Sequence, residues 1–319
     1  MAKILLDCDP GLDDALALLL AHGDPDIDLV AVTTVGGNVS LANTTRNALR
    51  LREYLGFDAV PIAAGAEGPL TRPAANAEHV HGAEGLGTVR LPEAELAASE
   101  LSAVDLIIRE IDAAPGEVHL VATGPLTNIA LTIRRDPSIV ERVASFVIMG
   151  GSFTRGNATP AAEFNIFADP EAAEIVFAAG WTVVMVGLDL TLQAIADAEI
   201  LARMAELGPV GTDLAVPLAT FWTNPDDAEW RGQAVHDVCA VAHVTHPELF
   251  QSRRARVEVE TAGHHTTGMT VVDFASAEPN AIVPVRLDVD GFWDYALGAW
   301  GMVGRVDRAG TIGGVDPRA

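Results

Sequence analysis

Lys3-Ile4-Leu5-Leu6-Asp7-Cys8-Asp9-Pro10-Gly11-Leu12-Asp13-Asp14-Ala15-Leu16-Ala17-Leu18-Leu19-Leu20-Ala21 holds a strand, a turn and a helix in one stretch. Ile4–Asp9 is an apolar β-run, Pro10-Gly11 interrupts it, and Asp13–Ala21 reads as a helix with acids at its start. The alternation continues along the chain. Further strands are expected at Leu29–Val35, Val60–Ala64, Val118–Thr123, Ser145–Met149 and Thr182–Leu188. Helices are expected at Leu41–Leu55, Ser102–Ala113, Leu126–Arg134 and Pro170–Ala179, with Ser40 and Asp169 as caps and Gly180 as a stop. Apolar strands alternating with helices predict an α/β fold, an open, mostly parallel Rossmann-like sheet with helices on both faces. After Leu190 the pattern is helical to about Leu249, a helical addition in the C-terminal third. Arg256–Glu260 and Gly268–Phe274 predict a hairpin, Ile282–Leu287 a strand and Phe292–Trp300 a closing helix. No repeat or linker divides the first 190 residues, so 1–319 reads as one domain with a disordered tail from about 309 to 319.

Composition narrows the partners. The 319 residues are 49% hydrophobic, enough for a large core, and carry 20 basic against 44 acidic side chains. A net charge of -24 repels nucleic acid and anionic membrane, leaving small molecules, cations and other protein chains. Only Cys8 and Cys239 are present, too few for a disulfide scaffold. The first strand begins at once, without the pattern of a signal peptide, and the apolar run from Ala15 to Ala21 is too short to span a bilayer. A cytoplasmic protein is expected.

In an open parallel sheet, ligands bind beyond the carboxyl ends of the strands. Those ends here read Asp7-Cys8-Asp9, Gly36-Gly37-Asn38, Thr123-Gly124, Met149-Gly150-Gly151 and Asp189. Four aspartates at 7, 9, 13 and 14 repel one another unless a cation or hydrogen bonds compensate. Helix capping accounts for one of them by stabilising an acid in the first turn. Hard carboxylates without a histidine or thiolate cluster favour Ca²⁺ or Mg²⁺ over zinc. Downstream, His236-Asp237 opens an apolar helix, and taken alone it reads as a cap. Gly156 to Asn165 places Asn157, Glu163 and Asn165 near Phe164, an ordinary polar loop in isolation. His79 to Gly87 carries three glycines and reads as a flap.

Together these segments resemble the inosine-uridine preferring nucleoside hydrolase family from Ile4 to about Trp300. The most specific element is Asp7-Cys8-Asp9-Pro10-Gly11-Leu12-Asp13-Asp14-Ala15. Supporting it are Thr33-Thr34-Val35-Gly36-Gly37-Asn38, Thr123-Gly124-Pro125-Leu126-Thr127-Asn128, Val147-Ile148-Met149-Gly150-Gly151, Ala162-Glu163-Phe164-Asn165-Ile166 and Val235-His236-Asp237. The resemblance implies hydrolysis of the N-glycosidic bond of ribonucleosides to ribose and free base, by metal-activated water through an oxocarbenium-like transition state. It implies Ca²⁺ held by Asp9, Asp14, Asp237 and the Thr123 carbonyl, with Asp9 also the general base and Asp7 supporting from behind. Asp13 and Asn38 would hold ribose hydroxyls on the metal side, and Asn157, Glu163 and Asn165 the 3′ and 5′ side. Phe164 would stack near the base, His236 would protonate it, and His81 would close over it. His81 places the chain nearer the broad inosine-uridine type. A homodimer or homotetramer is implied as well.

One departure concerns the base. Some relatives carry a tyrosine about a dozen residues before the His-Asp pair, where this chain has Asn224, with Trp222 and Trp230 nearby. Two rival readings compete with the hydrolase. A haloacid-dehalogenase-like phosphohydrolase also opens on Asp-x-Asp, but here Pro10-Gly11 follows and Asp13-Asp14 comes too early for its later acidic pair. A non-catalytic, calcium-dependent nucleoside-binding protein would not need Asp9 and His236.

Overall fold

The computed structural model describes residues 1–222 and 231–303; the expected tail and the positions Asn224 and Trp230 lie outside them. The strands are β1 Ala2–Cys8, β2 Ile27–Thr34, β3 Ile62–Ala64, β4 Val118–Ala122, β5 Ser145–Met149, β6 Val183–Val186, β7 Ile195–Ala196, β8 Gln233–Ala234, β9 Phe250–Val259, β10 Thr270–Asp273 and β11 Ala281–Leu287. Among the described residues they form a nine-stranded sheet in the order β10-β9-β11-β6-β5-β4-β1-β2-β3, and a separate β7-β8 pair. The run from β11 to β3 is parallel throughout; β9 is antiparallel to both β11 and β10. Apolar clusters cover both faces, as a buried parallel sheet requires.

The helix Leu12–Gly23 is buried along almost its whole length, with only His22 partly exposed. A helix apolar on every side belongs inside the molecule. It packs against the helices His236–Thr245 and Val289–Val303, which brings residues from opposite ends of the chain to the same rim. Expected caps are in place: the Ser40 side chain accepts from Asn43 N–H, and that of Asp169 from Ala172 N–H.

Two readings need correction. The stretch after Leu190 is not helical throughout: Ile195 and Ala196 pair with Ala234 and Gln233. Two-residue strands leave no periodicity to read. The hairpin strand β9 starts at Phe250 rather than Arg256. Its first half, Gln251-Ser252-Arg253-Arg254, is exposed and polar, and ladder bonds to β11 hold it rather than a buried face.

Strand order reverses at β1. The chain moves outward through β2 and β3, then returns to lay β4 on the other side of β1. Such a switch point opens a crevice at the carboxyl ends of its two strands. Asp9 follows β1 and Thr123 follows β4, so the sheet delivers both to that crevice.

Candidate active site

The turn Asp9-Pro10-Gly11 carries the chain from β1 into the first helix, and Asp14 holds it in shape. Asp14 Oδ2 accepts from Gly11 N–H at 3.0 Å and Asn38 Nδ2 at 3.0 Å. Its Oδ1 accepts from Thr123 Oγ1 at 2.9 Å and, more weakly, from Asp9 N–H at 3.3 Å. Helix capping therefore explains one acid of the four. Asp7 is turned to Thr33 Oγ1 (2.6 Å) and Asn128 Nδ2 (2.8 Å), a supporting position; burial raises its carboxyl to about 7.

Capping does not explain Asp9. Its Oδ2 accepts from Asn38 N–H at 2.7 Å, while Oδ1 is buried with no hydrogen-bond partner among the described residues. The backbone is shaped around this carboxylate. A Cβ at Gly37 would lie 2.1 Å from Asp9 Oδ2, and one at Gly124 2.7 Å from Asp9 Oδ1.

Asp237 reaches the same place from the first turn of the helix His236–Thr245. Carboxylate oxygens of Asp13, Asp14 and Asp237 converge within 4.8 Å of one another. Asp9 stands outside that triple, close enough that its charge acts on Asp237 and that of Asp14 acts on it. The family resemblance implies Asp13 on ribose and Asp9 on metal; the convergent set holds Asp13 in place of Asp9. Backbone N–H groups of Asp237 and His236 offset part of the burial of Asp13. Burial first, and the neighbouring carboxylates second, hold Asp9, Asp14 and Asp237 above the ordinary carboxylate range. None of the four enters an ion pair among the described residues. Buried acids with a partnerless oxygen and no basic side chain suit a hard cation.

A cavity of about 510 Å³ opens above this cluster, with Asp13, Asn38, Thr123 and Asp237 in its floor. Asn165 stands on one wall: its Nδ2 donates to the Thr123 carbonyl at 2.8 Å and the Met149 carbonyl at 3.1 Å, tying β4 to β5. Glu163 caps the helix Phe164–Ala168, with Oε1 on Asn165 N–H and Oε2 on Gly151 and Ile166 N–H. Burial raises it to about 7. Asn157 Oδ1 accepts from Phe164 N–H at 2.9 Å, and both residues line the cavity.

The lining also has an apolar share in Leu188, Leu192, Ile195 and Trp222. His236 belongs to the same lining, its Nδ1 2.7 Å from the Thr191 hydroxyl. Burial lowers its pKa to about 4. His81 is also buried, and Leu12 N–H donates to its Nδ1 at 3.0 Å, which leaves the ring proton on Nε2. Every sequence-predicted site residue thus lies in the cavity lining or in the acid cluster beneath it. Thr191 and Asn47 carry no signal in the sequence; each sits in a helix far along the chain from the group it holds.

Asn47 fastens the flap. Its Nδ2 donates to Pro10 O at 3.0 Å and Glu84 O at 2.7 Å, joining the acid turn to the segment that bears His81. Asn47→Ala is expected to raise KM about tenfold with a smaller change in kcat, and to expose residues 79–87 to proteolysis; an unchanged KM and cleavage rate would contradict this.

Comparison with known proteins bears on this geometry. The family model described as inosine-uridine preferring nucleoside hydrolase matches residues 4–294. The chain belongs to that family. It hydrolyses the N-glycosidic bond of ribonucleosides, and the phosphohydrolase and binding-only readings are not favoured. An inosine-uridine preferring nucleoside hydrolase of Crithidia fasciculata is 47% identical over 309 residues, covering 95% of this chain and 98% of that one. A pyrimidine-specific ribonucleoside hydrolase, RihA, of Citrobacter koseri is 45% identical over 297 residues, covering 91% and 95%. Among solved structures, a purine-preferring ribonucleoside hydrolase from Gardnerella vaginalis superposes with a TM-score of 0.90 at 31% identity, covering 96% of this chain and 100% of that one. Nucleoside hydrolases depend on a metal, and the buried aspartates are compatible with one. No helix among the described residues is long and apolar enough to cross a membrane.

Proposed function

We propose that this nucleoside hydrolase uses Ca²⁺ and accepts both inosine and uridine. The observation that carries the metal reading is Asp9 Oδ1, buried and partnerless beside three further buried acids. Asp9, Asp14, Asp237 and the Thr123 carbonyl would hold the ion, with Asp13 shared between it and the ribose. When bound, the ion would lower the pKa of a water and orient the ribose 2′- and 3′-hydroxyls. Asp9 takes the proton from the attacking water on its unpartnered Oδ1, as an ionised carboxylate positioned by Asn38 N–H can. Asp13 and Asn38 position the hydroxyls on the acid side, and Asn157, Glu163 and Asn165 those on the 3′ and 5′ side. As the bond to the base lengthens, positive charge grows on the sugar, and the buried carboxylates stabilise it. Phe164 flanks the base, and His81 and His236 face it as donors.

The base range rests on the apolar share of the cavity wall, Leu188, Leu192, Ile195 and Trp222, with His81 and His236 as donors beside it. The named relatives span inosine-uridine, pyrimidine and purine preferences, so assay of all the common ribonucleosides is the direct test. Failure on either inosine or uridine would overturn the proposed range. We further propose one catalytic domain, since the site draws on residues from 9 to 237, a homodimer or homotetramer, and a cytoplasmic location compatible with two buried, unpaired cysteines.

Calcium has a separate readout in stability. Asp7, Asp13, Asp14 and Glu163 have folded pKa values raised to about 6 or 7. The metal-free folded state therefore binds more protons than the unfolded chain between about pH 4 and 7, so its stability falls as pH rises across that window. Metal binding displaces protons, so Ca²⁺ gains its greatest effect above pH 7. At one fixed Ca²⁺ concentration, a hundredfold above its Kd at pH 8, it is expected to add about 2.7 kcal/mol, or roughly 5 °C in Tm, at pH 8 and less at pH 6, where Kd is weaker. An equal shift at both pH values, or none, would contradict the assignment.

A further inference from the structure

Gln233 occupies a place that the catalytic scheme does not use. It lies in the cavity wall, only 9% exposed, and its Oε1 is buried with no hydrogen-bond partner among the described residues. A buried amide oxygen without a donor is costly, and native proteins rarely keep one unless a ligand or water completes it. The backbone fixes its position. Gln233 pairs with Ala196 in the β7-β8 ladder, and Val235 N–H donates to Ala194 O at 3.0 Å. A Cβ at the preceding Gly232 would lie 2.1 Å from Ala196 O, so glycine lets the two strands close up there. The lining residues Leu192, Ile195 and Trp222 add an apolar share to the wall.

We propose that Gln233 is a specificity-determining residue that reads the base edge remote from the glycosidic bond, its Oε1 accepting the ring N–H of an imide or lactam base. Uracil offers that donor at N3 and hypoxanthine at N1; cytosine and adenine carry a bare nitrogen at the same places. An amide held on a short ladder with its acceptor unmet discriminates by leaving that acceptor unpaired against the wrong edge. The assignment rests on the proposed acceptance of inosine and uridine, and gives it a physical cause.

The test compares kcat/KM for uridine and 3-methyluridine in wild-type enzyme and in Gln233→Met, which keeps the length of the side chain but removes the amide. Uridine is expected to fall at least about tenfold in the variant, while 3-methyluridine, already without the N–H, changes by less than about threefold. Inosine and 1-methylinosine should repeat the pattern. Gln233→Ala provides a second variant should Gln233→Met fold poorly, with the same narrowing of the ratio expected. Wild-type turnover of uridine with an unchanged ratio in both variants would overturn the role of Gln233 alone. Turnover confined to cytidine or adenosine would overturn the proposed base range together with it.

Discussion

Asp9→Ala is expected to lower kcat by at least about a thousandfold on every nucleoside, with the fold intact. The carboxylate occupies a slot made by the absence of side chains at Gly37 and Gly124. Stability should move the other way from activity. In metal-free protein Asp9 is a buried acid pressed by Asp14, Asp13 and Asp7, and removing it relieves repulsion. Metal-free Asp9→Ala should therefore melt no lower than metal-free wild type at pH 8. Two titrations then separate the roles assigned to this residue. A lost calcium-induced rise in Tm marks Asp9 as a ligand; a retained rise with lost turnover marks it as the base alone. A variant that keeps even a tenth of wild-type kcat would refute both. Gly37→Ala, which pushes a methyl group against Asp9 Oδ2, should reproduce much of the loss without touching a carboxylate.

The sheet was readable because buried parallel strands are apolar without interruption, as Ile4–Leu6 and Val183–Val186 are, and because caps such as Ser40 and Asp169 mark where helices begin. Residues at the strand ends were readable for the same reason, since a polar residue that closes an apolar run stands at the rim. Asp237 needed more: only its resemblance to a known motif joined it to Asp9, because no local pattern shows that the helix His236–Thr245 packs beside Leu12–Gly23. That Asp13, rather than Asp9, converges with Asp14 and Asp237 was not readable at all. Which carboxylate of the turn joins Asp14 and Asp237 depends on the path of Pro10-Gly11, and spacing alone does not fix it. Thr191, Asn47 and Gln233 escaped notice because each is an ordinary residue for its element. Their importance lies in partners, or a missing partner, that only packing defines.

His236→Ala is expected to separate two kinds of leaving group. Hypoxanthine departs poorly as an anion and needs a proton or a strong hydrogen bond; nitrophenolate does not. Turnover of inosine should fall by about a hundredfold or more, and that of 4-nitrophenyl riboside by less than about threefold. The environment of the ring specifies how it acts. Burial holds its pKa at about 4, and a calcium ion at the adjoining Asp237 would lower it further. The ring is thus neutral across the range in which nucleosides are assayed. A cationic donor with that pKa would make inosine turnover fall tenfold for each unit of pH above about 5. With the Thr191 hydroxyl donating to Nδ1, a neutral ring carries its proton on Nε2, donates from there and leaves the rate flat between pH 6 and 8 as far as this group is concerned. Thr191→Val should then copy part of the inosine defect, because Nδ1 loses the partner that selects the tautomer, while Thr191→Ser should restore it. Equal losses on inosine and 4-nitrophenyl riboside in His236→Ala would remove the residue from leaving-group chemistry and return it to the role of a packed ring at the start of its helix.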